Sequence, residues 1–134
     1  MTKTTKLSGT LKVLKWDEQD IENNMSPVRV QYEFQSTEED ARQSFIGDAC
    51  YSFFYKVRSP ENPLASHTLY NGFLSLSVEL DGCASLLTFK DIGEFKDGTA
   101  ISNLTSIENN QYKAHGSYTA SPSQSEFTLV VEPI

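Results

Sequence analysis

Asp91 is the side chain in this sequence most suited to acid–base work. It sits in FKDIGEFKDGT, residues 89 to 99, two positions after Phe89 and two before Gly93. A strand running unbroken through this stretch would turn Asp91, Gly93 and Phe95 toward the core. Desolvation there raises a carboxyl pKa and makes the group a candidate general acid or base. A bulge at Gly93 would instead swing Asp91 outward and Ile92 inward. Burial of a charge is strongly opposed, so the favoured expectation is an exposed or hydrogen-bonded carboxylate at a bulge.

The other reactive side chains offer less. His67 and His115 are far apart and have no Cys, His or Asp at a ligand interval, so no metal site is expected. Neither a Gly-x-Ser-x-Gly elbow nor a phosphate loop is present, and no motif implies a cofactor or names a reaction. Cys50 lies beside Tyr51, and no cationic neighbour in sequence would make it a thiolate. Both Cys50 and Cys83 are expected to be small buried hydrophobes with reduced thiols.

Residues 43 to 57, QSFIGDACYSFFYKV, carry the densest aromatic set. Alternation puts Tyr51, Phe53, Tyr55 and Val57 on one face and Cys50, Ser52 and Phe54 on the other, a composition expected of a strand covered on both sides. With Trp16, the residues Tyr51, Phe53 and Tyr55 are the candidate ligand-binding set. Small barrels also fill their interiors with such rings, so core packing is the first expectation for them.

The elements that must position these groups read as strands. Residues 27 to 35 place Val28, Val30, Tyr32 and Phe34 on one face against Arg29, Gln31 and Glu33, and residues 9 to 16 set Leu11, Val13 and Lys15 against Lys12, Leu14 and Trp16. Helix signal is confined to a turn or two in STEEDARQ, residues 36 to 43. Two prolines in RSPENPL, residues 58 to 64, break the chain, and further strands are expected near 99–107, 111–120 and 125–131.

Two Asp-Gly steps fix register, because a type I′ turn needs positive φ at both central positions. Asp81-Gly82 predicts Leu80 opposite Cys83, Val78 opposite Ser85, Leu76 opposite Leu87 and Leu74 opposite Phe89. The outer face then pairs Glu79 with Ala84, Ser77 with Leu86, Ser75 with Thr88 and Phe73 with Lys90. Asp97-Gly98 predicts Lys96 opposite Thr99, Phe95 opposite Ala100, Glu94 opposite Ile101 and Ile92 opposite Asn103. Seven or eight such strands form an antiparallel meander that must close or pair to remove its edges. A small all-β barrel, lipocalin-like in outline, and a β-sandwich both meet that need, and the pattern alone leaves the two open.

The chain of 134 residues suits a single domain over 1–134. Eleven basic against eighteen acidic residues give a net charge of −7, which repels nucleic acid and anionic lipid. The early lysines Lys3, Lys6, Lys12 and Lys15 and the acidic group Asp17, Glu18, Asp20 and Glu22 read as solvated surface. The first residues lack the apolar core of a signal peptide, and no apolar run is long enough for a membrane span, so a cytoplasmic protein is expected and the Asn103-Leu104-Thr105 sequon carries no weight.

SGTLKVLKWDE at residues 8 to 18, Gly47 leading into YSFFY, and VELDGCASLLTFKDIGEFKDGTA at residues 78 to 100 together resemble a family of small, mainly bacterial proteins known as a domain of unknown function with an allene-oxide-cyclase-like barrel. The resemblance runs over nearly the whole chain and rests on glycine and aromatic spacing rather than a catalytic signature. It implies the barrel rather than the sandwich and a tendency to form homo-oligomers, and it implies no activity. Cys50 stands where family members carry Glu and Asp91 where they carry His, so an acid–base pair of the family would be altered here. Three readings follow: a module binding a small apolar or aromatic molecule in the barrel mouth, a cyclase- or isomerase-like enzyme using Asp91, and a filled barrel acting through oligomer surfaces.

Overall fold

The computed structural model describes residues 3–107 and 109–134; Met1, Thr2 and Glu108 lie outside the described residues. Eight strands follow one another around a closed antiparallel barrel: β1 (Thr5–Glu18), β2 (Met25–Ser36), β3 (Gln43–Val57), β4 (His67–Leu80), β5 (Cys83–Lys96), β6 (Thr99–Ser106), β7 (Tyr112–Ala120) and β8 (Ser125–Pro133). The sandwich alternative fails because β1 serves two partners. Its residues 5–10 pair with β8 while residues 9–18 pair with β2, so the sheet has no free edge. Among the described residues, helix is limited to the single turns Glu39–Ala41 and Pro63–Ala65. No helix among the described residues is long and apolar enough to cross a membrane.

Both Asp-Gly turns form in the expected register. Asp81 and Gly82 have φ of 53° and 76°, Asp97 and Gly98 of 55° and 78°, and every predicted cross-strand pair of the two hairpins is present. The inward face of the first hairpin buries Leu74, Leu76, Val78, Leu80, Leu87 and Phe89, while Phe73 and Leu86 stand outside. Register is specified this firmly because a slip of one residue would exchange the two faces.

Two strands depart from simple alternation or coverage. In β1 the register with β2 shifts between Val13 and Lys15, so that Val13 is opposite Tyr32 and Trp16 opposite Val30. This bulge adds one residue and keeps Trp16 and Glu18 on the inward side with Val13, whereas unbroken alternation would have turned them out. In β3, Cys50 and Ser52 are exposed and Phe54 is 41 % exposed. The strand is covered on its inner face only, which corrects the expectation of two-sided burial. Cys50 and Cys83 are accordingly exposed free thiols, not buried hydrophobes.

The interior is packed at one end and open at the other. At the packed end Phe34, Phe45 and Phe127 interlock, with Phe34 and Phe45 stacked at 5.3 Å and Phe127 edge-on to both. Leu7, Leu74, Leu76, Leu87, Phe89 and Leu129 complete this layer at 2 % exposure or less. Burying an apolar side chain of this size contributes about 1.5–3 kcal/mol, so the packed end is where the barrel's stability is concentrated.

Candidate functional site

Between the packed end and the open end lies a polar layer that the apolar code of the strands conceals. Tyr32 from β2, Tyr51 from β3, Asp91 from β5 and Tyr118 from β7 converge on the barrel axis. The Tyr51 hydroxyl donates to Asp91 Oδ2 at 2.7 Å, and the Tyr118 hydroxyl reaches the same oxygen at 3.3 Å. The three phenol oxygens also lie within hydrogen-bond reach of one another, at 2.9 Å for Tyr32–Tyr51, 3.0 Å for Tyr51–Tyr118 and 3.3 Å for Tyr32–Tyr118. Tyr70 on β4 extends the layer through a 2.5 Å bond to Ser102 on β6.

Asp91 is fully buried, which overturns the expected bulge at Gly93. The ladders of β5 with β4 and with β6 continue unbroken through Gly93, and Ile92 is 58 % exposed. Gly93 is needed for close approach instead: a Cβ there would collide with the phenol end of Tyr70 and lie 2.6 Å from the Ile101 carbonyl oxygen. Burial pushes the Asp91 carboxyl above its ordinary range, and the hydroxyls of Tyr51, Ser102 and Tyr118 oppose that shift only in part. Oδ1 has no hydrogen-bond partner among the described residues, so half of a buried carboxyl is left unsatisfied. Burial also raises the tyrosines: Tyr32 is pushed up to about 12, with Tyr51, Tyr70 and Tyr118 raised as well. These phenols therefore remain protonated donors across the ordinary pH range.

Above this layer opens a cavity of about 540 Å³. Its floor is the tyrosine layer, and Asp91 lies beneath that floor rather than in the wall. Trp16, Phe53, Tyr55 and Phe95 form much of the wall, with Phe53 edge-on to Trp16 at 5.7 Å and to Tyr55 at 6.2 Å. Small residues opposite, Ala100 and Ala120, leave the space open, and they are cross-strand partners of each other. At the rim Glu18 Oε2 accepts from Ser26 at 2.9 Å and from the Tyr55 hydroxyl. Tyr55 is pushed up to about 12 by burial and by its bond to Glu18.

The four aromatic candidates thus meet in one place. Tyr51 belongs to the floor, Phe53 and Trp16 to the wall and Tyr55 to the rim. Sequence reasoning missed Tyr32, Tyr70, Tyr118 and Ser102, and it assigned Glu18 to solvated surface although Glu18 lines the mouth. A tyrosine at an inward position of each of four strands was the available signal, because phenols are poor choices for a layer that only needs to be filled. His67 bonds Glu94 at 2.6 Å, and no cluster of metal-ligating side chains occurs among the described residues. No protein-family model matches the chain, and no characterised protein matches it in sequence.

Proposed function

We propose that the barrel binds a small apolar or aromatic molecule in its mouth. The observation that carries this reading is the cavity of about 540 Å³, walled by rings and floored by phenol hydroxyls resting on a buried carboxyl. A volume of that order, mostly apolar with a few convergent polar groups, has the character of a small-molecule site. The rings supply affinity and the hydroxyls orientation. The resemblance to allene-oxide-cyclase-like barrels supports the reading at the level of fold only, since one fold hosts many functions.

Native mass spectrometry of the gently purified chain tests it, paired with calorimetric titration of 2-naphthalenemethanol. A retained adduct lost on mild activation, or a saturable heat, is expected for the wild type and is abolished by Ala120→Phe, which fills the mouth. Absence of both adduct and heat in the wild type overturns the reading.

A second reading, a cyclase- or isomerase-like enzyme, is favoured by the unsatisfied Oδ1 of Asp91 beneath a floor of protonated phenols. In it a floor tyrosine touches the substrate and Asp91 is a positioning residue that fixes where the phenol protons point. Asp91→Asn would then lower turnover of the recovered molecule while leaving its binding intact; unchanged turnover rejects the reading. Self-association completes the proposal. Phe54, Leu69, Ile92 and Ile101 are 40–58 % exposed on the outer face of β3–β6, with Glu94 in register between Leu69 and Ile101 and Asn71 and Asn103 beside Ile92; this mixed face is suited to a second copy, and light scattering on the full chain checks it.

A further inference from the structure

The charge pattern of the mouth narrows the ligand class. Among the described residues that line the cavity, Glu18 alone carries a charge, and no Lys, Arg or His is one of them. Glu18 is held by the Ser26 and Tyr55 hydroxyls, both bonded to Oε2, and forms no ion pair among the described residues. Arg58 is near enough to bias the Tyr55 hydroxyl, yet it is neither in the wall nor paired with Glu18. Elsewhere on the surface glutamates do find bases: Glu38 pairs with Lys6 and Glu33 with Lys12. Among the described residues, the one carboxylate lining the mouth is paired only with hydroxyls.

Around it stand Trp16, Phe53 and Tyr55, whose ring faces carry negative electrostatic potential and attract cations. The bulge at Leu14 is what brings Trp16 and Glu18 to the same inward side of β1. An anionic amphiphile entering this mouth would meet a carboxylate and the negative faces of the rings, with no base in the described lining and Arg58 set back outside it, in a chain of net charge −7. We propose that the molecule accepted here is an aromatic or apolar amine, its ammonium held at the rim by Glu18 and the Trp16–Phe53–Tyr55 rings and its apolar body seated above the tyrosine floor. This rests on the binding reading above and names its ligand class.

A series on one ring system tests it by calorimetric titration of the full chain: 2-naphthylmethylamine, 2-naphthalenemethanol, 2-methylnaphthalene and 2-naphthoate. The amine is expected to bind roughly tenfold tighter than the alcohol, the size of a desolvated cation–ring and carboxylate contact, and the naphthoate weakest of all. Glu18→Gln, which keeps an acceptor for Ser26 and Tyr55, should bring amine and alcohol to within about twofold while leaving 2-methylnaphthalene unchanged. Trp16→Leu should weaken the amine more than the hydrocarbon. Equal binding of amine and alcohol, or tighter binding of the naphthoate, overturns the amine assignment and leaves the binding barrel standing; no binding of any member overturns the amine assignment, and the binding reading falls with it when no adduct is retained either. Unfolding midpoints of the two variants confirm that a lost preference is not a lost fold.

Discussion

Tyr51 on β3 donates to Asp91 on β5 at 2.7 Å across the inner surface of β4, and Gly72 lies between them in register, opposite Tyr51 on one side and Asp91 on the other. A Cβ on Gly72 would meet the Cys50 carbonyl oxygen and come within 2.8 Å of the Tyr51 Cα, so the glycine is required for the close approach of β3 and β4 at the point where the two partners of the bond flank it.

Gly72→Ala should therefore destabilise the barrel by about 1–3 kcal/mol, the usual cost of forcing an added methyl into a packed site. Urea unfolding measures the loss. Gly82→Ala is an informative comparison, because a Cβ there meets nothing and the cost comes from the positive φ alone.

Tyr51→Phe keeps the ring and removes the better donor to Asp91 Oδ2. A buried carboxyl that loses a hydrogen bond costs about 1–3 kcal/mol, and the loss should be larger at pH 8 than at pH 4, because the bond favours the ionised form. Equal losses at the two pH values would mean that Asp91 is protonated throughout.

Asp91→Asn should flatten the dependence of stability on pH. The folded-state pKa of Asp91 is raised above the ordinary 3.8, so the stability tied to its neutral form is fully present below 3.8 and is lost as pH rises through the folded value. The Asn variant has no proton to lose there, and at neutral pH it should be at least as stable as the wild type. Unfolding midpoints measured from pH 3.5 to 8 decide it; a parallel pair of curves would contradict the burial of an ionisable group.

Both thiols should react with a thiol reagent in the native protein without waiting for unfolding, since Cys50 and Cys83 are exposed. Two equivalents released promptly are expected, and protection of Cys50 would restore the two-sided burial of β3.

How much of this could be read in advance follows the range of the interactions. The Asp-Gly turns and the alternation beside them specify the hairpins of β4, β5 and β6 locally, and those registers are as expected. Closure into a barrel depends on β1 dividing its length between β2 and β8, a long-range choice with no local signature. The polar layer is harder still, because its members come from six strands and each tyrosine alone reads as ordinary core. Asp91 was misjudged for a physical reason: the cost of burying a charge is reduced when the group can take up a proton and several phenols surround it, and a sequence does not display those phenols as neighbours. Glu18 was hidden by a bulge, since one extra residue in β1 reverses which side chains face the mouth.

The seam between β1 and β8 has a kinetic consequence. Thr5 pairs with Val131, so the cylinder cannot shut until strands separated by more than a hundred positions have met, after every other neighbouring pair has had the chance to form through a short connection. Long-range closure of this kind slows folding and leaves an open, curled sheet with two unsatisfied margins as the species most exposed to self-aggregation. Moving the chain break to the Asp81–Gly82 turn, with the old ends joined by a flexible linker, would make the β1–β8 pairing local and the β4–β5 pairing remote, so the order in which the barrel assembles becomes a property that rewiring can change without altering a residue of its wall.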